Sequence, residues 1–284
     1  TVLLESSGAS TVSSPMSLEV ADDPCWVLLS TTGLIARTTD QSAFGASSTR
    51  GLHDSISSLV ATPARGEIGV VDMAGMVHRL SVIDLPALPV TVEPPRLGGG
   101  IALADVLPDA DSPLCLMSLD EAAPTLALGT RMGVTKRVKP EQLSKDSWSV
   151  IRLAEGDEVV GAAQLDSDAD ELVFVTSDAQ LLRFAASLVR PQGRDGQGIA
   201  GIKLADGAEV IAFAAVTTPA EAHVVTVAGA TQALTVGLGG SAKVTPLDAY
   251  PPKGRATGGV RCQRFLSGED SLILAWVGDG LPMA

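Results

Sequence analysis

The sequence predicts an all-β fold made of many short strands, on the strength of its composition, its apolar pattern and an internal repeat. Of the 284 residues, 45% are hydrophobic, 29 are glycine and only 3% are aromatic. This apolar content is sufficient to bury a core, and abundant glycine suits strands joined by tight turns better than long helices. From Met16 onward, short apolar runs are separated by Gly, Pro and Asp, as expected for successive strands.

The internal repeat has a period of about 49 residues and organises the rest of the chain. Its first unit is a strand, a tight turn and a returning strand, with the turn placed at Gly33, Gly75, Gly133, Ala179 and Gly229. A second unit, such as Leu153–Glu158 or Leu204–Glu209, contains a glycine turn followed by an acid. Two such units supply four strands, which is the size of a propeller blade. The repeat therefore predicts a propeller-like disc of about five four-stranded blades, with a truncated sixth blade as the alternative.

The charge of the chain gives a mixed indication about its ligand. The net charge is −13, from 33 acidic and 20 basic residues, and most nucleic-acid binders are basic. However, four of the five returning strands carry an arginine four residues after the turn, namely Arg37, Arg79, Arg137 and Arg183. Because side chains alternate along a strand, these arginines would leave each blade at the same height. A ring of blades would then carry a basic belt along its outer edge, which suits a long polyanion.

Two glycine-rich basic loops lie between the hairpins and share the pattern Gly-Arg-x-x-x-Gly. They are Gln192–Gly198 and Lys253–Gly259. Glycine allows backbone N–H groups to approach a phosphate, and arginine adds charge-assisted hydrogen bonds. A turn between blades would also use glycine, so a single loop of this kind is weak evidence for phosphate binding. The indication comes from the recurrence of the pattern at the same point of the repeat.

Together these features resemble the C-terminal domain of the A subunit of bacterial type IIA topoisomerases, that is, of DNA gyrase and topoisomerase IV. The resemblance is carried by Met132-Gly-Val-Thr-Lys-Arg-Val138, by Gly156-Asp-Glu-Val-Val-Gly161 and by the basic loop within residues 189–204. It implies a β-pinwheel, a propeller-like disc whose blades exchange strands, with DNA bent around a basic rim. Residues 16–284 are expected to form this domain, and residues 1–15 are expected to be a flexible linker from an N-terminal catalytic core.

The resemblance favours topoisomerase IV, which relaxes and decatenates DNA, over gyrase. Gyrase carries the box Gln-Arg-Arg-Gly-Gly-Lys-Gly after its first hairpin and uses it to wrap DNA for negative supercoiling. The matching region here, Phe44–Gly51, lacks the box. A gyrase-type domain remains the first alternative, and a propeller module that binds a protein or small ligand remains the second.

The expected function is thus non-catalytic binding and bending of double-stranded DNA, largely independent of sequence, within an ATP-dependent enzyme. The expected DNA contacts are Arg37, Arg79, Lys136, Arg137, Lys139, Arg183, Arg190, Arg194, Lys253 and Arg255. Tyr250 does not match the breakage-reunion tyrosine of these enzymes, and no nucleophile or metal-ligand pattern appears. The three separated cysteines are expected to be buried thiols.

The resemblance also implies the surroundings of the domain. Its expected partners are DNA, the N-terminal core of the same subunit and the B-subunit ATPase, with no membrane contact. No cofactor is expected in this domain, because ATP and Mg²⁺ are used elsewhere in the holoenzyme. The expected location is the bacterial cytoplasm, at the nucleoid.

Overall fold

The computed structural model describes residues 21–42, 55–89, 97–139, 141, 143–231 and 240–279. The predicted linker at residues 1–15 and the region Phe44–Gly51 lie outside the described residues.

Regular structure within these ranges consists of short strands, four 3₁₀ turns and one four-residue helix, α1 (Leu103–Val106). The 3₁₀ turns are Val82–Asp84, Leu97–Gly99, Ala186–Leu188 and Leu247–Ala249. The strands, in chain order, are β1 (Pro24–Ser30), β2 (Leu34–Thr38), β3 (Ile56–Pro63), β4 (Glu67–Asp72), β5 (Met76–Ser81), β6 (Ala87–Leu88), β7 (Ile101–Ala102), β8 (Pro113–Ser118), β9 (Leu126–Thr130), β10 (Val134–Val138), β11 (Ser147–Ser149), β12 (Val159–Gln164), β13 (Glu171–Thr176), β14 (Gln180–Ala185), β15 (Ile199–Ala200), β16 (Val210–Val216), β17 (Ala222–Gly229), β18 (Ala242–Pro246), β19 (Val260–Arg261) and β20 (Ser271–Asp279).

In the described residues the strands form five sheets, one for each predicted hairpin. Blade 1 has the order β3-β1-β2-β6, with β7 also paired to β2, and blade 2 has the order β11-β5-β4-β8. Blade 3 is β12-β9-β10-β15, blade 4 is β16-β13-β14-β19, and blade 5 is β18-β17-β20. The all-β prediction and its propeller-like blades are therefore confirmed.

Neighbouring blades exchange strands, as the resemblance implied. Strand β11 follows the blade 3 hairpin in the chain but pairs with β5 in blade 2. In the same way β15 follows the blade 4 hairpin and pairs with β10, and β19 follows β18 and pairs with β14. Each exchange lays a segment of the next repeat along the returning strand of the blade before it. We call the three segments that carry β11, β15 and β19, residues 139–152, 189–203 and 250–264, the rim segments.

The core lies between successive blades. Strand β3 packs against β8, β8 against β12, β12 against β16, and β16 against β20. One cluster joins blades 2 and 3 through Val71, Val77, Leu128 and Trp148. Burial of aliphatic surface between blades is the main force that holds the domain together, since aromatic residues are scarce.

Three of the predicted turn glycines lie at hairpin tips with positive φ. Gly33, Gly75 and Gly133 have φ values of 81°, 71° and 81°, and Ala179 takes the same conformation at 61°. The fifth assignment was wrong, because Gly229 is the last residue of β17 and pairs with Ser271. The strand is longer than the repeat suggested, and the connection from β17 to β18 begins only after Gly229.

Candidate nucleic-acid interface

The four hairpin arginines occupy one register position. Across their hairpins Arg37 pairs with Val27, Arg79 with Gly69, Arg137 with Ala127 and Arg183 with Val173. The side chains therefore leave their blades at a common height, as the strand alternation predicted.

Arg137 does not reach solvent at that height. Only 3% of the residue is exposed. Its Nη1 donates to the carbonyl oxygens of Ala186 at 3.0 Å and Val189 at 3.3 Å, both in the segment that follows the blade 4 hairpin. Its Nη2 donates to Thr125 Oγ1 at 3.1 Å and to the Asp168 carboxylate. The guanidinium therefore joins blade 3 to the next repeat.

Arg183 and Arg79 make the same kind of connection. Arg183 is buried, and its Nε donates to the carbonyl of Tyr250 at 2.6 Å, beyond the blade 5 hairpin. Arg79 is partly buried, donates to the carbonyls of Leu143 and Lys145, and lies 5.7 Å from the ring centroid of Trp148. Each arginine thus binds the backbone of the repeat that follows its own.

The expectation of an exposed basic belt is consequently wrong for Arg137 and Arg183, and the expectation of a DNA contact is wrong for Lys136 as well. Lys136 is fully buried, with its Nζ bonded to three carbonyl oxygens. The physical reason is the strand exchange, which covers each returning strand with a rim segment from the next repeat. Arg37 is partly buried, and its Nε has no hydrogen-bond partner among the described residues.

Exposed cations are concentrated instead in the rim segments. Those three segments contain ten Lys and Arg residues against three Asp and Glu, in a chain of net charge −13. Of the predicted contacts, Lys139, Arg190 and Lys253 are exposed there, while Arg194 and Arg255 are partly exposed. Five further exposed cations were missed by the sequence reasoning: Lys145, Arg152, Lys203, Arg261 and Arg264. A charge count by repeat segment, rather than by motif, would have found them.

The two Gly-Arg loops are anchored at equivalent points. The N–H of Gln192 donates to the Arg137 carbonyl at 2.8 Å, and the N–H of Lys253 donates to the Arg183 carbonyl at 3.0 Å. The loops end at Gly198 and Gly259, with φ values of 80° and 75°. The backbone of each loop is therefore fixed beside the hairpin arginine of the preceding blade.

Acidic residues of the second repeat unit lie at the hairpin tips rather than in the rim segments. Asp157 Oδ1 accepts the N–H of Met132 at 2.9 Å, and Asp270 Oδ1 accepts the N–H of Thr231 at 2.8 Å. Arg131 lies between Glu158 and Glu209, at 3.6 and 3.7 Å. These acids are therefore occupied by contacts at the hairpin tips, outside the rim segments.

The other residues considered as functional candidates, a tyrosine, three cysteines and a histidine, are buried within the fold. Tyr250 is buried, and its hydroxyl donates to the Cys262 carbonyl at 3.3 Å. The three cysteines are free and buried, as predicted. His78 is buried and lies 2.7 Å from Asp72. Across the described ranges, no group of three or more His, Cys, Asp or Glu residues could hold a metal ion, and no helix is long and apolar enough to cross a membrane.

Comparison with known proteins decides the family. The family model described as DNA gyrase C-terminal domain, beta-propeller, matches residues 126–166, 170–217 and 233–274. Over residues 126–274 the chain belongs to this family. Each of the three matched stretches of the gyrase-type domain contains one rim segment.

Curated relatives of this gyrase-type domain are DNA gyrase A subunits. The subunit of Mycolicibacterium smegmatis is 31% identical over 164 residues, which is 56% of this chain and 18% of the relative. That of Deinococcus deserti is 30% identical over 197 residues, which is 66% of this chain and 22% of the relative. The chain therefore spans about a fifth of the length of these relatives.

Solved structures show the same fold. A crystal structure of the C-terminal domain of DNA topoisomerase IV superposes with a TM-score of 0.68 and 19% identity, covering 91% of this chain and 79% of that one. The E. coli ParC C-terminal domain gives a TM-score of 0.53 and 17% identity, covering 90% of this chain and 99% of that one.

Proposed function

We propose that this gyrase-type domain binds and bends double-stranded DNA along its three rim segments, as the non-catalytic arm of a type IIA topoisomerase A subunit. The observation that supports this most directly is the segregation of charge. Ten cations against three acids lie in the rim segments, while the chain as a whole is strongly acidic. A surface that selects anions is thereby concentrated on the exchanged strands.

The proposed mechanism is geometric. Bending 20–30 base pairs by 40–90° costs roughly 1–6 kcal/mol, so a bent duplex needs several contacts spread along its length. Successive rim segments supply cations from successive blades, and each neutralised phosphate releases condensed counterions. Contacts of this kind are to phosphates, so the proposed binding is largely independent of sequence.

The proposed contact set is revised from the one that the sequence suggested. Lys139, Arg190, Arg194, Lys253 and Arg255 keep their role, and the five additional exposed cations of the rim segments join them. Lys136, Arg137 and Arg183 support the rim from inside, since each donates a hydrogen bond to a backbone carbonyl oxygen of a rim segment.

For the whole protein we propose an ATP-dependent topoisomerase of the topoisomerase IV type, which relaxes and decatenates DNA in the cytoplasm at the nucleoid. ATP and Mg²⁺ would act in the N-terminal core and the B-subunit ATPase, and this domain would contribute no chemistry. The absence of the glycine-rich basic box from the sequence at Phe44–Gly51 supports this choice over gyrase.

Fluorescence anisotropy with labelled duplexes of about 20 and about 40 base pairs, at several salt concentrations, tests the proposed function. If about six phosphates are neutralised, log affinity falls with log salt with a slope near −5. The longer duplex binds more tightly, because it reaches more rim segments. If the chain shows no affinity for either duplex at low salt, the proposal of DNA binding is rejected. The alternative of a module that binds a protein or small ligand would then remain.

A topology assay separates the two enzyme types. Nicked circular DNA is ligated in the presence of the chain, and the linking-number distribution is measured. Wrapping of the gyrase type shifts this distribution, whereas bending without a full wrap leaves its centre unchanged. A shift would therefore favour the gyrase-type alternative.

A further inference from the structure

The fully buried Lys136 connects two rim segments. Its Nζ donates to the carbonyl of Val150 at 2.7 Å, in the first rim segment. It also donates to the carbonyls of Arg194 at 2.7 Å and Gly196 at 2.9 Å, in the second. An ammonium group has three donors, and all three are used here to hold backbone.

The held backbone belongs to the basic loop Gln192–Gly198. Gly196 also accepts a hydrogen bond from the N–H of Arg152 at 3.1 Å, so the first rim segment contacts the loop directly as well as through Lys136. Within the loop, the N–H of Gly198 donates to Gln192 Oε1 at 3.2 Å. Arg194 is bound through its carbonyl, and its partly exposed side chain has Nε 3.6 Å from Glu141 Oε2.

Among the four blades with a hairpin arginine, only blade 3 has a lysine at the position before it. The residue that precedes the hairpin arginine is Ala36 in blade 1, His78 in blade 2 and Leu182 in blade 4. Leu182 is buried like Lys136 but has no polar atom to hold a loop. The corresponding loop of the next repeat uses its own Lys253, whose Nζ donates to Gly259 at 2.8 Å.

We propose that Lys136 is a positioning residue for DNA binding, which fixes the loop Gln192–Gly198 so that Arg194 faces the duplex. This inference rests on the proposed function and deepens it, because it assigns a role in the interface to a residue that cannot touch DNA. The loop otherwise carries three glycines, and without a fixed backbone Arg194 would lose conformational entropy on binding.

The protonation state of Lys136 gives the proposal a distinctive readout. Burial lowers the pKa of Lys136 to about 8, while the nearby carboxylates of Asp195 and Glu141 act in the opposite direction. A neutral amine has only two N–H donors for three carbonyls, so the loop is held less firmly above that pH. DNA affinity should therefore fall as the pH rises through about 8.

The test compares Lys136→Met with Leu182→Met, an apolar substitution at the equivalent position of the next blade. Lys136→Met should weaken DNA binding about threefold to tenfold and reduce the magnitude of the salt slope by about 1, as Arg194→Gln should. Leu182→Met should leave both unchanged. In the double variant Lys136→Met/Arg194→Gln the two losses should not add, because both remove the same contact. The loss of affinity between pH 7 and 9 should be absent from Lys136→Met.

Amide hydrogen exchange tests whether Lys136 holds the loop, and it needs no DNA. Its outcome is therefore independent of the proposed DNA binding. In Lys136→Met, amide exchange should accelerate in residues 192–198 and remain unchanged in blade 5. If exchange accelerates in this way but the wild-type chain binds no DNA, the proposed function is rejected, while the fixing of the loop by Lys136 is supported. If exchange in residues 192–198 is unchanged, or the affinity losses of the two substitutions add, the positioning role is overturned. Should Lys136→Met fail to fold, Lys136→Gln keeps an amide donor and should show the same effects at smaller size.

Discussion

Arg183 and Glu171, twelve positions apart in sequence, form an ion pair across the blade 4 hairpin, with 2.7 Å between Nη1 and Oε2. The same twelve-residue relationship joins Arg79 to Glu67 in blade 2 and Arg137 to Thr125 in blade 3. In blade 1 the corresponding pair is Arg37 and Cys25. In blades 2 to 4 the repeated arginine is therefore a structural clamp: it binds a side chain at the start of its own hairpin and the backbone of the following repeat.

Replacing the clamp should lower stability rather than DNA affinity. Arg183→Met leaves the Tyr250 carbonyl and the mostly buried Glu171 carboxylate without their donor. We expect the free energy of unfolding, measured in urea, to fall by about 3–5 kcal/mol. The matched control is the exposed Arg190→Gln, which should change stability by less than about 0.5 kcal/mol. A stable Arg183→Met protein with weakened DNA binding would contradict the clamp.

Neutralising rim cations should produce the opposite pattern. Arg190→Gln and Arg264→Gln each remove an exposed charge from a rim segment. Each should reduce the magnitude of the salt slope by about 0.9 if its side chain neutralises one phosphate. Arg65→Gln removes an exposed cation outside the rim segments and serves as the control in the same anisotropy titration. Equal losses from all three variants would indicate attraction by overall charge and not by the rim.

The buried lysine should make stability depend on pH in a defined window. The pKa of Lys136 is lowered from 10.5 to about 8 in the folded protein, with burial as the main cause. Between these values the unfolded chain binds more protons than the folded one, so the stability contributed at this site rises with pH. The difference in unfolding free energy between wild type and Lys136→Met should therefore shift in favour of the wild type from pH 8 to 10.5. A difference that does not change over this range would contradict the lowered pKa.

The cysteines should be inert in the folded protein. Burial raises the pKa of Cys115 to about 12 and that of Cys262 to about 11, and it also raises the pKa of Cys25. Because the thiolate is the reactive form, a thiol reagent such as DTNB should label none of them rapidly near pH 8. Denaturant should expose all three thiols to stoichiometric labelling. Rapid reaction of any cysteine in the native state would mean that the structure around it opens locally.

Hairpin-tip glycines allow backbone strain and steric overlap to be measured separately. Gly33 and Gly133 share a φ of 81°, but an added Cβ meets no atom within 4 Å at Gly33 and lies 2.8 Å from the Ile202 carbonyl oxygen at Gly133. Gly33→Ala should cost about 1 kcal/mol from the left-handed conformation alone. Gly133→Ala should cost more, since the exchanged segment must also move. Thermal unfolding of the two variants gives the comparison, and equal losses would show that the rim segment shifts freely.

Much of the fold could be predicted from the sequence because its determinants are local. A turn with positive φ needs glycine, so Gly33, Gly75 and Gly133 mark hairpin tips directly. Alternation fixes the common height of Arg37, Arg79, Arg137 and Arg183, which depends only on positions within one hairpin. Where the local pattern was incomplete, as at Gly229 of blade 5, the predicted tip was wrong.

The candidate site depended on contacts that no local pattern contains. Whether Arg137 faces solvent is decided by Ala186 and Val189, about fifty residues further along the chain. Strand exchange brings these segments together, and a buried cation is tolerated only where such carbonyls receive its hydrogens. By itself, then, the sequence determined the repeat, the turns and the register of the arginines. Only the tertiary structure decided which cations are buried and which lie on the rim, because that choice depends on which distant segment covers each strand.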